Sequence, residues 1–126
     1  MKKVLLIDDD KVSNFLSSLI IKKTLIAEVV KECLDGQEGL DYLKSLSGST
    51  EIPDILFLDL NMPVLDGWQF LNKFSLLDKR VQMPIYILTS SNYEGDLIKS
   101  KEFDAVKGYI VKPLSKDLAT AIFEKL

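Results

Sequence analysis

The chain has 126 residues, a formal net charge of −3, 47% apolar and 28% charged side chains, which is the profile of one soluble globular domain with no room for a second. Lysines are interspersed with acids and Arg80 is the only arginine, so no nucleic-acid partner is expected of it. Cys33 is the only cysteine, which excludes an internal disulfide, and Met1-Lys2-Lys3 leads into an apolar run too short for a signal peptide or a membrane span, so a reducing cytoplasmic location and no membrane partner are expected.

Strand and helix signals alternate along the whole length, which predicts an α/β domain with a parallel sheet. The first strand is Val4 to Ile7, and a helix follows with Val12, Phe15, Leu16, Leu19 and Ile20 at helical spacing and Lys22-Lys23 near its end. Ala27 to Leu34 alternates polar and apolar residues and reads as an edge strand. Asp35-Gly36-Gln37-Glu38 has the spacing of a capping box and opens a second helix through Leu40, Leu43 and Leu46. After a loop from Ser47 to Pro53, Ile55 to Leu58 forms the third strand, apolar throughout and so buried on both faces. Asp66-Gly67-Trp68-Gln69 repeats the capping spacing and opens a third helix with Phe70, Leu71, Phe74 and Leu77 inward. Ile85 to Leu88 is the fourth strand. The fourth helix, roughly Tyr93 to Lys101, carries Gly95 and a thin apolar pattern, the mark of an element able to move. Val106 to Val111 is the fifth strand, and the fifth helix starts near Ser115 with Leu118, Ala121, Ile122 and Leu126 on one face.

Four of the strands run straight into polar groups. Val4 to Ile7 ends in Asp8-Asp9-Asp10, Ile55 to Leu58 in Asp59, Ile85 to Leu88 in Thr89-Ser90-Ser91, and Gly108 to Val111 in Lys112-Pro113. In a parallel sheet these ends converge on one edge, where α/β folds bind ligands.

The ordered set Asp8-Asp9, Asp59 with Asn61-Met62-Pro63 and Asp66-Gly67, then Thr89, then Tyr109 with Lys112-Pro113 resembles the response-regulator receiver domain over essentially the whole of residues 1–126. The resemblance implies a flavodoxin-like, doubly wound sheet of order 2-1-3-4-5 with five helices. It implies a phosphoacceptor of a two-component or phosphorelay pathway, not a turnover enzyme. By the same resemblance Asp59 is expected to take the phosphoryl group, with Mg²⁺ held by Asp9 directly, Asp8 chiefly through water, Asp59 and the Asn61 carbonyl. Lys112 and Thr89 then contact the phosphoryl oxygens, Tyr109 is an aromatic switch, and the Lys112-Pro113 bond is cis. The donor is a phospho-histidine on a sensor histidine kinase or histidine phosphotransferase, since this chain has no histidine. The downstream partner is another protein, engaged through the fourth helix, fifth strand and fifth helix of a stand-alone receiver.

Elementary chemistry points the same way. Three crowded carboxylates raise one another's pKa, and a hard divalent cation relieves that repulsion. Oxygen ligands without imidazole or thiolate suit Mg²⁺ over zinc. Phosphoryl transfer to a carboxylate then needs mainly positioning and neutralising charge. The rival reading starts from Asp8-Asp9-Asp10-Lys11-Val12, which resembles the nucleophile motif of haloacid-dehalogenase-type phosphatases and would make Asp8 the nucleophile. No acid follows Lys112 at a strand end as that family requires. Neither a Gly-x-Gly-x-x-Gly turn nor a Walker loop is present, which disfavours a nucleotide-binding domain.

Overall fold

The computed structural model describes all residues from Met1 to Leu126. Side chains alternate across the first strand, β1 (Lys2–Ile7), and that alternation divides the core in two. Leu5 and Ile7 face one layer, Val4 and Leu6 the other. The third strand, β3 (Ile55–Leu58), splits likewise, with Leu56 and Leu58 on the first side and Ile55 and Phe57 on the second. All four of its side chains are buried, each stabilising the fold by about 1.5–3 kcal/mol relative to exposure.

Five parallel strands form one sheet in the order β2-β1-β3-β4-β5, with β2 at Ala27–Cys33, β4 at Ile85–Thr89 and β5 at Val106–Val111. This is the doubly wound, flavodoxin-like order expected, and β2 is an edge as its alternation predicted. Helices α2 (Gly36–Ser45) and α3 (Gly67–Phe74) cover one face through Leu40, Leu43, Phe70, Leu71 and Phe74. Helices α1 (Lys11–Lys23) and α5 (Lys116–Glu124) cover the other, and α4 (Glu94–Ser100) stands between α3 and β5 in the chain.

The helix starts follow from their caps. Asp66 and Gln69 form a full capping box at α3. At α2 only half of the box forms: Asp35 accepts from the Glu38 amide, but Glu38 accepts from the Leu34 amide instead of that of Asp35. Tyr93 precedes α4 and offers no side-chain cap, consistent with the thin pattern of that helix. Leu77 lies past the end of α3 and is half-buried. A 3-10 turn at Lys79–Val81, capped by Asp78, was not expected from the sequence.

Two amphipathic readings are corrected. On α1 the buried residues are Asn14, Ser17 and Ile21, while Val12, Phe15, Leu16 and Leu19 are exposed. On α5 the inward residues are Ala119, Ile122 and Phe123, and Leu118 and Ala121 face out. On α1 small or polar side chains permit close approach to the sheet, so the larger apolar stripe does not mark the buried face; on α5 the buried face is apolar, carried by Ile122 and Phe123, and is only rotated from the one expected.

Candidate functional site

Asp8 follows β1 and Asp59 follows β3, and these strands are hydrogen-bonded neighbours, with Ile7 opposite Leu58. The backbone continues the ladder into the site: the Asp59 amide donates to the Ile7 carbonyl at 3.0 Å, and the Asp8 amide to that of Cys33 at 3.0 Å. Gly67 lets the start of α3 close against this turn. A Cβ there would lie 2.7 Å from the Leu60 Cα and 2.9 Å from the Asp59 carbonyl oxygen, and the Gly67 amide donates to the Leu60 carbonyl.

One carboxylate oxygen from each of Asp8, Asp9 and Asp59 lies within 4.8 Å of the other two. Asp8 and Asp59 are buried and Asp9 is exposed. Lys112, from the end of β5, reaches across β4 into this set. Its Nζ lies 2.6 Å from Asp8 Oδ2 and 3.7 Å from Asp59 Oδ2. The Lys112-Pro113 bond is cis. The Lys112 amide donates to the Thr89 carbonyl at 2.8 Å, which fixes the ends of β4 and β5 relative to each other.

Asp59 accepts from the Asn61 amide at 3.3 Å. The Asn61 side-chain amide donates to Thr89 Oγ1 at 3.4 Å, so Asn61 bridges the turn after β3 to the hydroxyl after β4. Burial pushes the Asp59 carboxyl above the ordinary range; Lys112 pulls it back down, Asp8 raises it again, and Thr89 and Asn61 lower it. Thr89 is fully buried. Tyr109 does not join the acids: it is half-buried, and its hydroxyl donates to the Ser91 carbonyl at 2.9 Å.

Two residues of this region were missed by sequence reading. Asn14 is buried and donates its side-chain amide to the Asp8 carbonyl at 3.0 Å, holding the acid turn from below. Its polar type on a helix with an apolar stripe was the only available signal. Ser91 accepts from Tyr109 through its carbonyl, donates its amide to Thr89 Oγ1 at 3.3 Å, and donates its hydroxyl to Asp96 of α4 at 2.7 Å. Asp10 takes no part in the acid cluster; its side chain accepts from the amides of Val12 and Ser13 and caps α1.

The donor chemistry fits a hard cation. Three carboxylates converge, no histidine is present, and the one thiol is buried on the α2 side, pushed by burial up to about 12. One ammonium, that of Lys112, is paired with Asp8 and near Asp59, which leaves net negative charge in the cluster. No helix is long and apolar enough to cross a membrane.

Comparison with known proteins gives the same outline. The chain is 28% identical over 123 residues to a probable methanogenesis regulatory protein, FilR2, of Methanothrix harundinacea, covering 96% of this chain and 79% of that one. A two-component response regulator of Cytophaga hutchinsonii has the same fold with a TM-score of 0.91 and 30% identity, covering 99% of this chain and 96% of that one. The Mn²⁺-bound form of response regulator Rcp1 superposes with a TM-score of 0.75 at 29% identity, covering 98% of this chain and 91% of that one. The response regulator receiver domain model matches residues 4–124, and the chain belongs to that family.

Proposed function

We propose that Asp59 accepts a phosphoryl group from a phospho-histidine of a sensor histidine kinase or histidine phosphotransferase, and that the domain passes the signal on by protein contacts. The observation that carries this reading is the Asp59 carboxylate itself. It ends the central strand with one oxygen each of Asp8 and Asp9 within 4.8 Å of one of its own and the Lys112 ammonium at 3.7 Å. In the transfer a carboxylate oxygen of Asp59 bonds to phosphorus as the phosphorus–nitrogen bond breaks, and the electron pair returns to the donor imidazole. Lys112 sits within reach of the added phosphoryl oxygens, and the Thr89 hydroxyl, which accepts from the Asn61 side chain, is the hydroxyl that would donate to one of them.

Asp9, Asp8, Asp59 and the Asn61 carbonyl would hold Mg²⁺, in keeping with the Mn²⁺-bound form of the similar response regulator Rcp1. When bound, the ion supplies positive charge against the phosphoryl oxygens. Asp8 is the weaker nucleophile candidate, because its two oxygens already accept from Lys112 and from the Asp10 amide at 2.9 Å. This weighs against the phosphatase reading. The output surface in this proposal is α4, β5 and α5.

The test is intact-mass analysis after treatment with a small-molecule phosphodonor and Mg²⁺. Wild type should gain one phosphoryl mass, lost on chelation of the metal during the reaction, and Asp59→Asn should gain none. Normal phosphorylation of Asp59→Asn, or a modification mapped to Asp8, would return the phosphatase reading to first place.

A further inference from the structure

Asp9 is the exposed member of the acid cluster, so its carboxylate is placed by the backbone on either side of it. One residue holds that backbone at both ends. The Asn14 backbone amide donates to the Asp10 carbonyl at 3.0 Å, and its side-chain amide donates to the Asp8 carbonyl at 3.0 Å. The same Nδ2 lies 3.5 Å from the Cys33 carbonyl, which also accepts from the Asp8 amide at 3.0 Å. Asn14 therefore joins the ends of β1 and β2 to the first turn of α1, with Asp9 in the middle of the joint.

The other bonds of this turn do not duplicate that one. The Asp10 amide donates to Asp8 Oδ1, and the Asp10 side chain accepts from the Val12 and Ser13 amides, so neither reaches the Asp8 carbonyl. Asn14 is 3% exposed, and a cavity it lines together with Asp8, Ser17 and Asp59 is about 10 Å³, the size of one water. Burying an amide carries a desolvation cost that Ile21, on the same face of α1, does not. The cost falls where a donor can orient an acid. We propose that Asn14 is a positioning residue for the divalent cation. Its side chain fixes the carbonyl before Asp9 while its backbone fixes the one after, and this sets the affinity of the acid cluster. The inference rests on the reading of Asp8, Asp9 and Asp59 as a Mg²⁺ site. Groups that orient metal ligands change metal affinity by about 10–100-fold when they are removed.

Titration calorimetry with Mg²⁺ alone, on protein shown to be folded by circular dichroism, reads the outcome. Asn14→Leu keeps the size of the side chain and donates nothing. It should lower stability and bind Mg²⁺ at least about 10-fold more weakly than wild type. Ser17→Ala, on the same buried face and against the same cavity, should bind as wild type does. If Asn14→Leu does not fold, Asn14→Met carries the comparison, being equally without a donor and better able to adapt to the space. A purely structural role would cost stability and leave the affinity of the folded variant unchanged. Asp9→Asn separates this inference from the reading it rests on. Wild-type affinity in the folded Asn14 variant beside a weakened Asp9→Asn overturns the positioning role alone. Equal losses in Ser17→Ala and Asn14→Leu would assign the effect to the packing of α1 and overturn it too. No Mg²⁺ binding by wild type would remove the cation reading and the positioning role together.

Discussion

Lys112 and Asp8 are 104 residues apart in the chain, yet Nζ and Oδ2 meet at 2.6 Å at the edge of the sheet. The ammonium also lies 3.7 Å from Asp59, and it is the only cation paired with the acid cluster. Removing one partner of a desolvated ion pair leaves the other uncompensated, which costs more than the pair contributes. Here three carboxylates would be left.

Lys112→Ala should therefore lower stability in metal-free buffer by about 1–3 kcal/mol, discounted from the fully buried case because the lysine is partly exposed. Millimolar Mg²⁺ should restore part of that loss if the cation takes over the neutralisation. Urea unfolding with and without Mg²⁺ measures both. Equal midpoints for variant and wild type without metal would show that the pairing contributes nothing.

Asp59 should cost stability in the metal-free protein. Burial holds its carboxyl above the ordinary range, with Asp8 adding to the shift and Lys112 opposing it. A folded pKa above the unfolded one means that the penalty is present when the group is ionised. It fades as pH falls through the folded value. Asp59→Asn should raise the urea midpoint near neutral pH in chelator, and the gap over wild type should close as the pH falls toward about 4, the ordinary carboxylate range. A variant less stable than wild type at neutral pH would show that Lys112 and the hydrogen bonds outweigh burial.

The sheet and its acid edge were legible because they rest on continuous signals. The runs Val4–Ile7, Ile55–Leu58 and Ile85–Leu88 are apolar without interruption, and the group after each one falls on the same edge. The faces of α1 and α5 were not legible. Their apolar periodicity is real, but on α1 burial was decided by what could approach the sheet closely, Ser17 and Asn14, and on α5 the buried face turns toward Ala119 and Phe123, keeping Ile122 and leaving Leu118 outside. A large apolar stripe and a snug small-residue stripe share the same helical period. Ser91 was hidden for another reason: its bonds to Tyr109 and Thr89 run through its backbone carbonyl and amide, which any residue type carries, and only its bond to Asp96 uses the hydroxyl.

The far end of α4 is tied to α3 by an aromatic stack. Trp68 and Phe103 lie 6.0 Å apart with rings inclined by 24°, and Lys99 Nζ stands 4.6 Å from the centre of the Trp68 ring. Trp68 is the only tryptophan, so its emission should report the position of α4. Lys99→Ala should shift that emission and destabilise the fold by about 0.5–1 kcal/mol, the range for an exposed cation–π pair. An unchanged spectrum would mean that the lysine does not dwell over the ring.

The hydrogen bonds around Ser91 give the proposed signal a physical route. Thr89 Oγ1 accepts from the side chain of Asn61, two residues past Asp59, and from the Ser91 amide. Ser91 in turn accepts from Tyr109 on β5 and donates to Asp96 on α4. A phosphoryl group on Asp59 would compete for the Thr89 hydroxyl, since a phosphoryl oxygen is a stronger acceptor than the neutral groups around it. Turning that hydroxyl toward Asp59 withdraws an acceptor from the Ser91 amide, and Ser91 is where Tyr109 and Asp96 are held. The shift in population between two arrangements is limited by this difference in bonding. Thr89→Ala should leave Asp59 able to take phosphoryl, because the carboxylate, Asp8, Asp9 and Lys112 are untouched. It should cost about 0.5–1.5 kcal/mol of stability, as for one lost hydroxyl. Amide shifts and hydrogen exchange, with and without a phosphoryl mimic, should show residues 94–100 and 106–111 responding in wild type and losing more than half of that response in the variant. A full response at α4 and β5 in Thr89→Ala would mean that the signal bypasses Ser91.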